Sequence, residues 1–386
     1  LTKPFTGQKW RPLYLDEVLQ QGDVATPEKR KLSTKTLADV VEALIGASYV
    51  DGGLSKAVTC ISKFVPEGSW TSVDADRESL FARVPDGEPL PPPLEPLEKL
   101  IGYTFQKKAL LMEALTHASY AADFGTRSLE RLEFIGDAVL DNIIVTKLFR
   151  LKPALPHFRM HTLKTGLVNG DFLAFMTMEH GVQLAADPVV TEEATVEVPE
   201  TISYLWSFLR QASFPIAIEL KETNKRHAAL REQIHEAMDN DDHYPWALLA
   251  ALSPKKFYSD LFEAVLGAVW IDSGSLAACE GMVAQFGILK YMDRLLRDEV
   301  HVQHPKEELG MWANTETVTY ELEMKGSEES AGEREYFCKV FVGKREVVEV
   351  RGGVNKEEVK TKGATEALRI LREEKRRGAE DVVMVG

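Results

Sequence analysis

Cysteine is nearly missing: Cys60, Cys279 and Cys338 stand far apart in 386 residues and form no CxxC pair. That excludes a disulfide framework and a cysteine-rich zinc module, and it fits a reducing compartment. No apolar run approaches the ~18 residues that a membrane span requires, and the N-terminus lacks the basic, apolar, small-residue order of a secretory signal. An excess of positive charge is absent too. The 46 Lys and Arg against 60 Asp and Glu give a net charge of -14, which in a single domain counts against a nucleic-acid partner but leaves room for a local basic face. These absences predict a soluble intracellular chain, cytoplasmic or nuclear, without a membrane partner. What is present, 44% hydrophobic and 27% charged residues, suffices for two or three domains with sizeable cores.

One segment occurs twice. KTLADVVEALIGASYVDGG, from Lys35 to Gly53, lies over KFYSDLFEAVLGAVWIDSG, from Lys256 to Gly274. Lys35, Asp39 and Glu42 match Lys256, Asp260 and Glu263, and Gly46, Ala47, Asp51 and Gly53 match Gly267, Ala268, Asp272 and Gly274. Apolar residues at helical spacing make both copies helices. Two copies mean a duplicated domain rather than a solenoid.

The stretch 66–96 contains PDGEPLPPPLEP, whose prolines favour extended chain, so a linker is placed there between a first domain at 1–65 and a second at 97–300. In SLERLEFIGDAVLDNIIVTKLF, a stripe of Leu132, Ile135, Val139, Ile143 and Leu148 predicts a mostly buried helix. DPVVTEEATVEVP and MDNDDHYP are acidic, carry proline and mark the edges of an insertion around 187–246. From 301 to 386 the order is helix, three alternating strand-like runs, helix, which predicts a small α+β domain with a short tail.

Glu133 and Asp137 are four apart, and Asp260 and Glu263 three apart, so each pair shares one helix face. Acids at such spacing ordinarily solvate a surface. Here Leu132, Phe134, Ile135, Val139 and Leu140 surround the first pair, and Leu261, Phe262, Val265 and Leu266 the second. Carboxylates in that company are costly unless paired or coordinated. Four oxygen ligands with no His or Cys suit a hard ion such as Mg²⁺, and Gly136 and Gly267 would let two helices approach closely.

LERLEFIGDAVLD resembles the signature helix of the ribonuclease III family, and THASY at Thr116 to Tyr120 and the Lys256 segment match that family in its own order. Two such domains followed by a double-stranded-RNA-binding domain resemble the C-terminal part of a Dicer-like endoribonuclease of the fungal kind. The resemblance implies a mainly α fold: tandem ribonuclease III-like domains, then an α-β-β-β-α domain. It implies that Glu133, Asp137, Asp260 and Glu263 bind Mg²⁺, with Mn²⁺ as a substitute, that Glu130 is a supporting carboxylate, and that Lys256 faces the scissile phosphate. Lys35, Asp39 and Glu42 would belong to a second, incomplete site. No ERLEFIGDAVL-like helix precedes them, and the chain opens on Leu1, so a longer parent protein is expected to hold that helix upstream.

The further implications concern products and partners. The two nuclease domains would pair within the chain and cut double-stranded RNA into small interfering RNA with a 5′-phosphate and a two-nucleotide 3′ overhang, in RNA silencing and antiviral defence. The alternative is a non-catalytic double-stranded-RNA-binding scaffold on the same fold.

His117 in THASY is expected to pack helices. His157 and His161 have metal-ligand spacing but no evident third ligand, and Cys338 has His301 and His304 as company, so no zinc is expected. In the last domain GGVNKEEVKTKGATEAL opens a helix whose N-terminus favours phosphate, with Lys356, Lys360 and Lys362 directed at the RNA backbone. Three departures leave protein contact open as this domain's role. Glu357 stands where the family usually has a second lysine, the loop GSEESAGERE is acidic and lacks a Pro-x-His element, and acids outnumber bases.

Overall fold

The computed structural model describes residues 34–86, 89–120, 127–184, 189–190, 195–196, 201–325 and 335–385. The chain divides into two compact units, Leu1–Arg83 and Val84–Gly386. In the first unit, helix α1 (Thr34–Phe64) carries the first copy of the repeat and bends at Gly52 and Gly53. Helix α2 (Val73–Ala82) follows, its N-terminus capped by Ser72, which accepts from the Ala75 N–H. The 66–96 stretch is therefore not extended throughout, because its first half holds no proline between Pro66 and Pro85 and offers a capped helix start.

In the second unit, α3 (Pro96–Ile101) and α4 (Lys108–Ala114) lead to α5 (Glu130–Phe149), α6 (His157–Val168) and α7 (Gly170–Glu179). Helix α5 buries Leu132, Gly136, Val139, Leu140, Ile143, Ile144 and Leu148, the stripe that its periodicity predicts with small shifts. Phe134 departs from expectation. The linear pattern sets it among the apolar surroundings of Glu133, yet it is 80% exposed, because one position along a helix turns a side chain by about 100°.

The stretch around 187–246 contributes short strands β1 (Gly181–Leu184), β2 (Val189–Val190), β3 (Thr195–Val196) and β4 (Thr201–Tyr204), and then helix α8 (Phe214–Asn240). Three α8 residues on one face, His227, Arg231 and His235, converge on Glu179 at the end of α7 at 2.6, 2.8 and 2.6 Å. Burial works against the Glu179 charge, but these three hydrogen bonds outweigh it and hold the carboxyl down at about 2. The acidic insertion is thus largely a helix clamped to the nuclease-like core.

Helices α9 (Trp246–Leu252), α10 (Phe257–Ser273), α11 (Leu276–Gln285) and α12 (Ile288–Arg297) complete the helical part. Helix α10, the second copy of the repeat, is the central element: Tyr258, Leu261 and Val265 are fully buried. Their counterparts in the first copy, Leu37, Val40 and Leu44, are exposed on α1. The same sequence pattern is a core helix in one setting and an open apolar face in the other, since burial depends on what packs against it.

The last part is α13 (Pro305–Ala313), β5 (Val318–Lys325), β6 (Glu335–Val342), β7 (Arg345–Gly353) and α14 (Lys356–Val385), the α-β-β-β-α order read from the sequence. The strands form an antiparallel sheet in the order β5-β6-β7. Its core joins Leu309 of α13, Cys338 and Val340 of β6, and Val359, Ala364, Ala367 and Leu368 of α14. Among the described residues no helix is long and apolar enough to cross a membrane. All three cysteines are free thiols.

Candidate active site

The site begins with two glycines. A Cβ built on Gly136 of α5 would lie 1.8 Å from the Glu263 carbonyl oxygen, and one on Gly267 of α10 would lie 2.1 Å from that of Leu132. Only hydrogen fits at either position, so α5 and α10 meet backbone to backbone. Residues one turn away on each helix are carried toward a common point.

Those residues are the acids. Carboxylate oxygens of Glu133, Asp260 and Glu263 lie within 4.8 Å of one another. Glu263 is 8% exposed. Burial first, then the charges of Asp137, Asp260 and Glu133, push its carboxyl up to about 8. Burial likewise raises Asp260 and Asp137. Asp137 is exposed and outside the close group of three, although its charge reaches Glu263. Beside it Lys164 pairs with Asp141 at 2.7 Å, and both act on the Asp137 carboxyl.

Lys256 supplies the positive charge. Its ammonium donates to Glu133 Oε1 at 2.8 Å and to Asp260 Oδ1 at 2.6 Å, joining the two helices. Burial opposes that charge, yet the hydrogen bonds to Asp260 and Glu133 outweigh it and hold the amine above the ordinary lysine range. Three carboxylates and one ammonium leave two surplus negative charges once Glu263 gives up its proton. An all-oxygen donor set with surplus negative charge fits a hard divalent cation, and Glu133, Asp260 and Glu263 are the residues that would hold it.

The other predicted residues fall elsewhere. Glu130 is exposed at the start of α5, where it accepts from Ser128 at 3.0 Å, and it is not in the close group. In the first copy, Lys35 pairs with Asp39 at 3.1 Å, and both, with Glu42, are exposed on α1. His117 accepts from the Ser119 N–H and sets its ring edge-on to Phe257, a packing role. His157 and His161 stack on each other at 6.4 Å on the surface. Cys338 lies inside the last domain's core, whereas His301 bonds Glu308 and His304 caps α13.

The start of α14 is occupied by contacts within the chain. Asn355 caps it by accepting from the Glu358 N–H, and its amide donates to the Ala250 carbonyl of α9 at 2.6 Å. Glu358 accepts from the Val354 N–H and pairs with Lys362, while Glu357 pairs with Lys306. Lys356 is exposed and Lys360 half-buried. Among the three lysines, Lys362 is already engaged by an acid.

Two residues of consequence were not singled out from the sequence. Asp272, buried at the end of α10, accepts from the Tyr103 hydroxyl and from the Gln106 and Lys107 N–H groups. Its recurrence as Asp51 in the repeat was the available signal. Arg226 of α8 carried no signal at all.

Residues 130–274 match the ribonuclease III domain model, and residues 298–384 match the model of the Dicer-like protein 2 dsRNA binding domain. The chain therefore carries a ribonuclease III domain followed by a double-stranded-RNA-binding domain. Over nearly its whole length it is homologous to fungal Dicer-like protein 2 sequences. It is 45% identical over 392 residues to that of Cryphonectria parasitica, covering 96% of this chain and 27% of the relative. It is 42% identical over 399 residues to that of Pyricularia oryzae, covering 97% and 26%. The chain thus spans about a quarter of the length of these curated relatives. Among solved structures, the nuclease domain of ribonuclease III from Campylobacter jejuni matches at 22% identity and a TM-score of 0.31, covering 53% of this chain and 96% of that one.

Proposed function

We propose that the chain is part of a divalent-metal-dependent endoribonuclease that cleaves double-stranded RNA. The observation that carries this reading is the group of Glu133, Asp260 and Glu263, held within 4.8 Å on a glycine-packed helix pair and bridged by Lys256. Asp137 joins them as the fourth ligand of Mg²⁺, for which Mn²⁺ can substitute, and Glu130 is a supporting carboxylate. An ion bound there would supply a hydroxide at neutral pH and offset charge on the leaving oxygen. The chain's own residues do the rest. The acids would hold the ion, and the Lys256 ammonium, 73% exposed and hydrogen-bonded to Glu133 and Asp260, would turn to the scissile phosphate.

Residues 1–65 are read as part of a first ribonuclease III domain holding Lys35, Asp39 and Glu42, residues 66–96 as a linker, 97–300 as the second nuclease domain and 301–386 as the RNA-binding domain. Pairing of the two nuclease domains sets the stagger of two cuts and hence a two-nucleotide 3′ overhang with 5′-phosphate, the form of small interfering RNA in silencing and antiviral defence. Lys356 and Lys360 remain available to RNA backbone, and no zinc takes part.

The test is cleavage of end-labelled long double-stranded RNA by the full protein with Mg²⁺, comparing wild type with Asp260→Ala/Glu263→Ala. A variant that cuts one strand only supports a nuclease centre here paired with a second. Equal cutting of both strands by wild type and variant removes the carboxylate argument, and absence of cleavage by the wild type with retained RNA binding favours the scaffold reading.

A further inference from the structure

Lys256 sits at the exit of a tight corner. Helix α9 ends at Leu252, Ser253 turns the chain with φ of 46°, and three residues later Lys256 caps α10 and reaches Glu133 and Asp260. A serine in the left-handed region is held there by its surroundings rather than by its own preference. The surroundings are specific. Arg226 of α8 donates from Nε to the Leu252 carbonyl at 3.0 Å and from Nη2 to the Ser253 carbonyl at 3.2 Å. The same guanidinium is aimed by Glu219 Oε1 at 3.0 Å and Thr223 Oγ1 at 2.8 Å, both on its own helix. From the other side, Asn355 of the C-terminal domain takes the Ala250 carbonyl. The Leu252 and Ser253 carbonyls, and the Ala250 carbonyl that also accepts from the Ser253 N–H at 3.1 Å, are thereby shared between two elements that had no assigned part in the site.

We propose that Arg226 is a positioning residue for the nuclease reaction: it locks the corner from Leu252 to Ser253 and so fixes where Lys256 enters the acidic group. Asn355 is its lesser counterpart, so the insertion and the C-terminal domain both serve the placement of one lysine. A planar fork suits this task, because it engages two adjacent carbonyls in a single plane while a cation favours a helix C-terminus. The proposal rests on the nuclease reading of the site, with Lys256 acting on the phosphate.

The test separates the two. In the full protein with Mg²⁺ and double-stranded RNA, Arg226→Ala should lower kcat about tenfold with KM within about twofold, and Asn355→Ala should lower it less. In a Lys256→Ala background, Arg226→Ala should cost less than about twofold, because the residue it positions is gone. An equal loss in both backgrounds overturns the proposal. A second readout needs no activity: the rate of Lys256 acylation by a soluble ester, followed by mass spectrometry, should rise in Arg226→Ala as the ammonium leaves its acids. Faster labelling with an inactive wild type sinks the nuclease reading and keeps the corner; unchanged labelling with an active wild type sinks the corner and keeps the nuclease. Should Arg226→Ala not fold, Arg226→Gln, which keeps a donor for one carbonyl, is read in the same way.

Discussion

Gly136 lies so close to Glu263 that a methyl group on its Cα would meet the Glu263 carbonyl oxygen at 1.8 Å. The contact is backbone to backbone, so no side-chain rotation relieves it. Because Glu133 and Glu263 flank this point on opposite helices, separation of the helices and separation of the acids are one event.

Gly136→Ala should therefore cost about 3 kcal/mol or more, at or beyond the upper range of overpacking. It should also weaken divalent-ion binding, which requires the three carboxylates together. Urea unfolding checks the first and calorimetric titration with Mg²⁺ the second. A stable variant with unchanged ion affinity contradicts the packing argument.

Asp272 joins the end of α10 to the loop before α4. Its two oxygens take the Tyr103 hydroxyl at 2.7 Å and the Gln106 and Lys107 N–H groups at 2.7 and 2.9 Å, and it is 1% exposed. Truncation leaves three donors without an acceptor, at about 1–3 kcal/mol for each that stays dry. Asp272→Ala should thus lower stability by about 3 kcal/mol, and Asp272→Asn by less, since one oxygen remains. A shift below about 1 kcal/mol in denaturant unfolding would show that water replaces the carboxylate.

The acidic group makes ion binding depend on pH. Burial and the neighbouring acids hold Glu263 protonated up to about 8, above its ordinary range. Between that range and about 8 the folded state binds more protons than the unfolded one, so this group's contribution to stability falls as pH rises. An ion must displace the proton, so affinity for Mg²⁺ should climb from about pH 6.5 to about pH 8.5, with proton release that fades at the upper end. The apparent pKa belongs to the cluster as a whole. Calorimetry in two buffers of different ionisation heat reads it, and a flat affinity without proton release refutes it.

Much of this was legible in the linear pattern. The repeat, the spacing of Glu133, Asp137, Asp260 and Glu263, the paired glycines and the α-β-β-β-α order are local or recurrent features, and helical and strand periods translate them directly into faces. The sequence by itself thereby determined the kinds of elements and which acids share a side. The tertiary structure alone decided how those acids differ: Glu263 is buried and perturbed, while Asp137 stays exposed beside Lys164 and Asp141. It also brought Arg226 and Asn355 to the last carbonyls of α9, and so joined the capped start of α14 to that helix. The physical reason is that a period names the face a residue occupies, whereas burial, charge and hydrogen bonding depend on neighbours that arrive from distant parts of the chain.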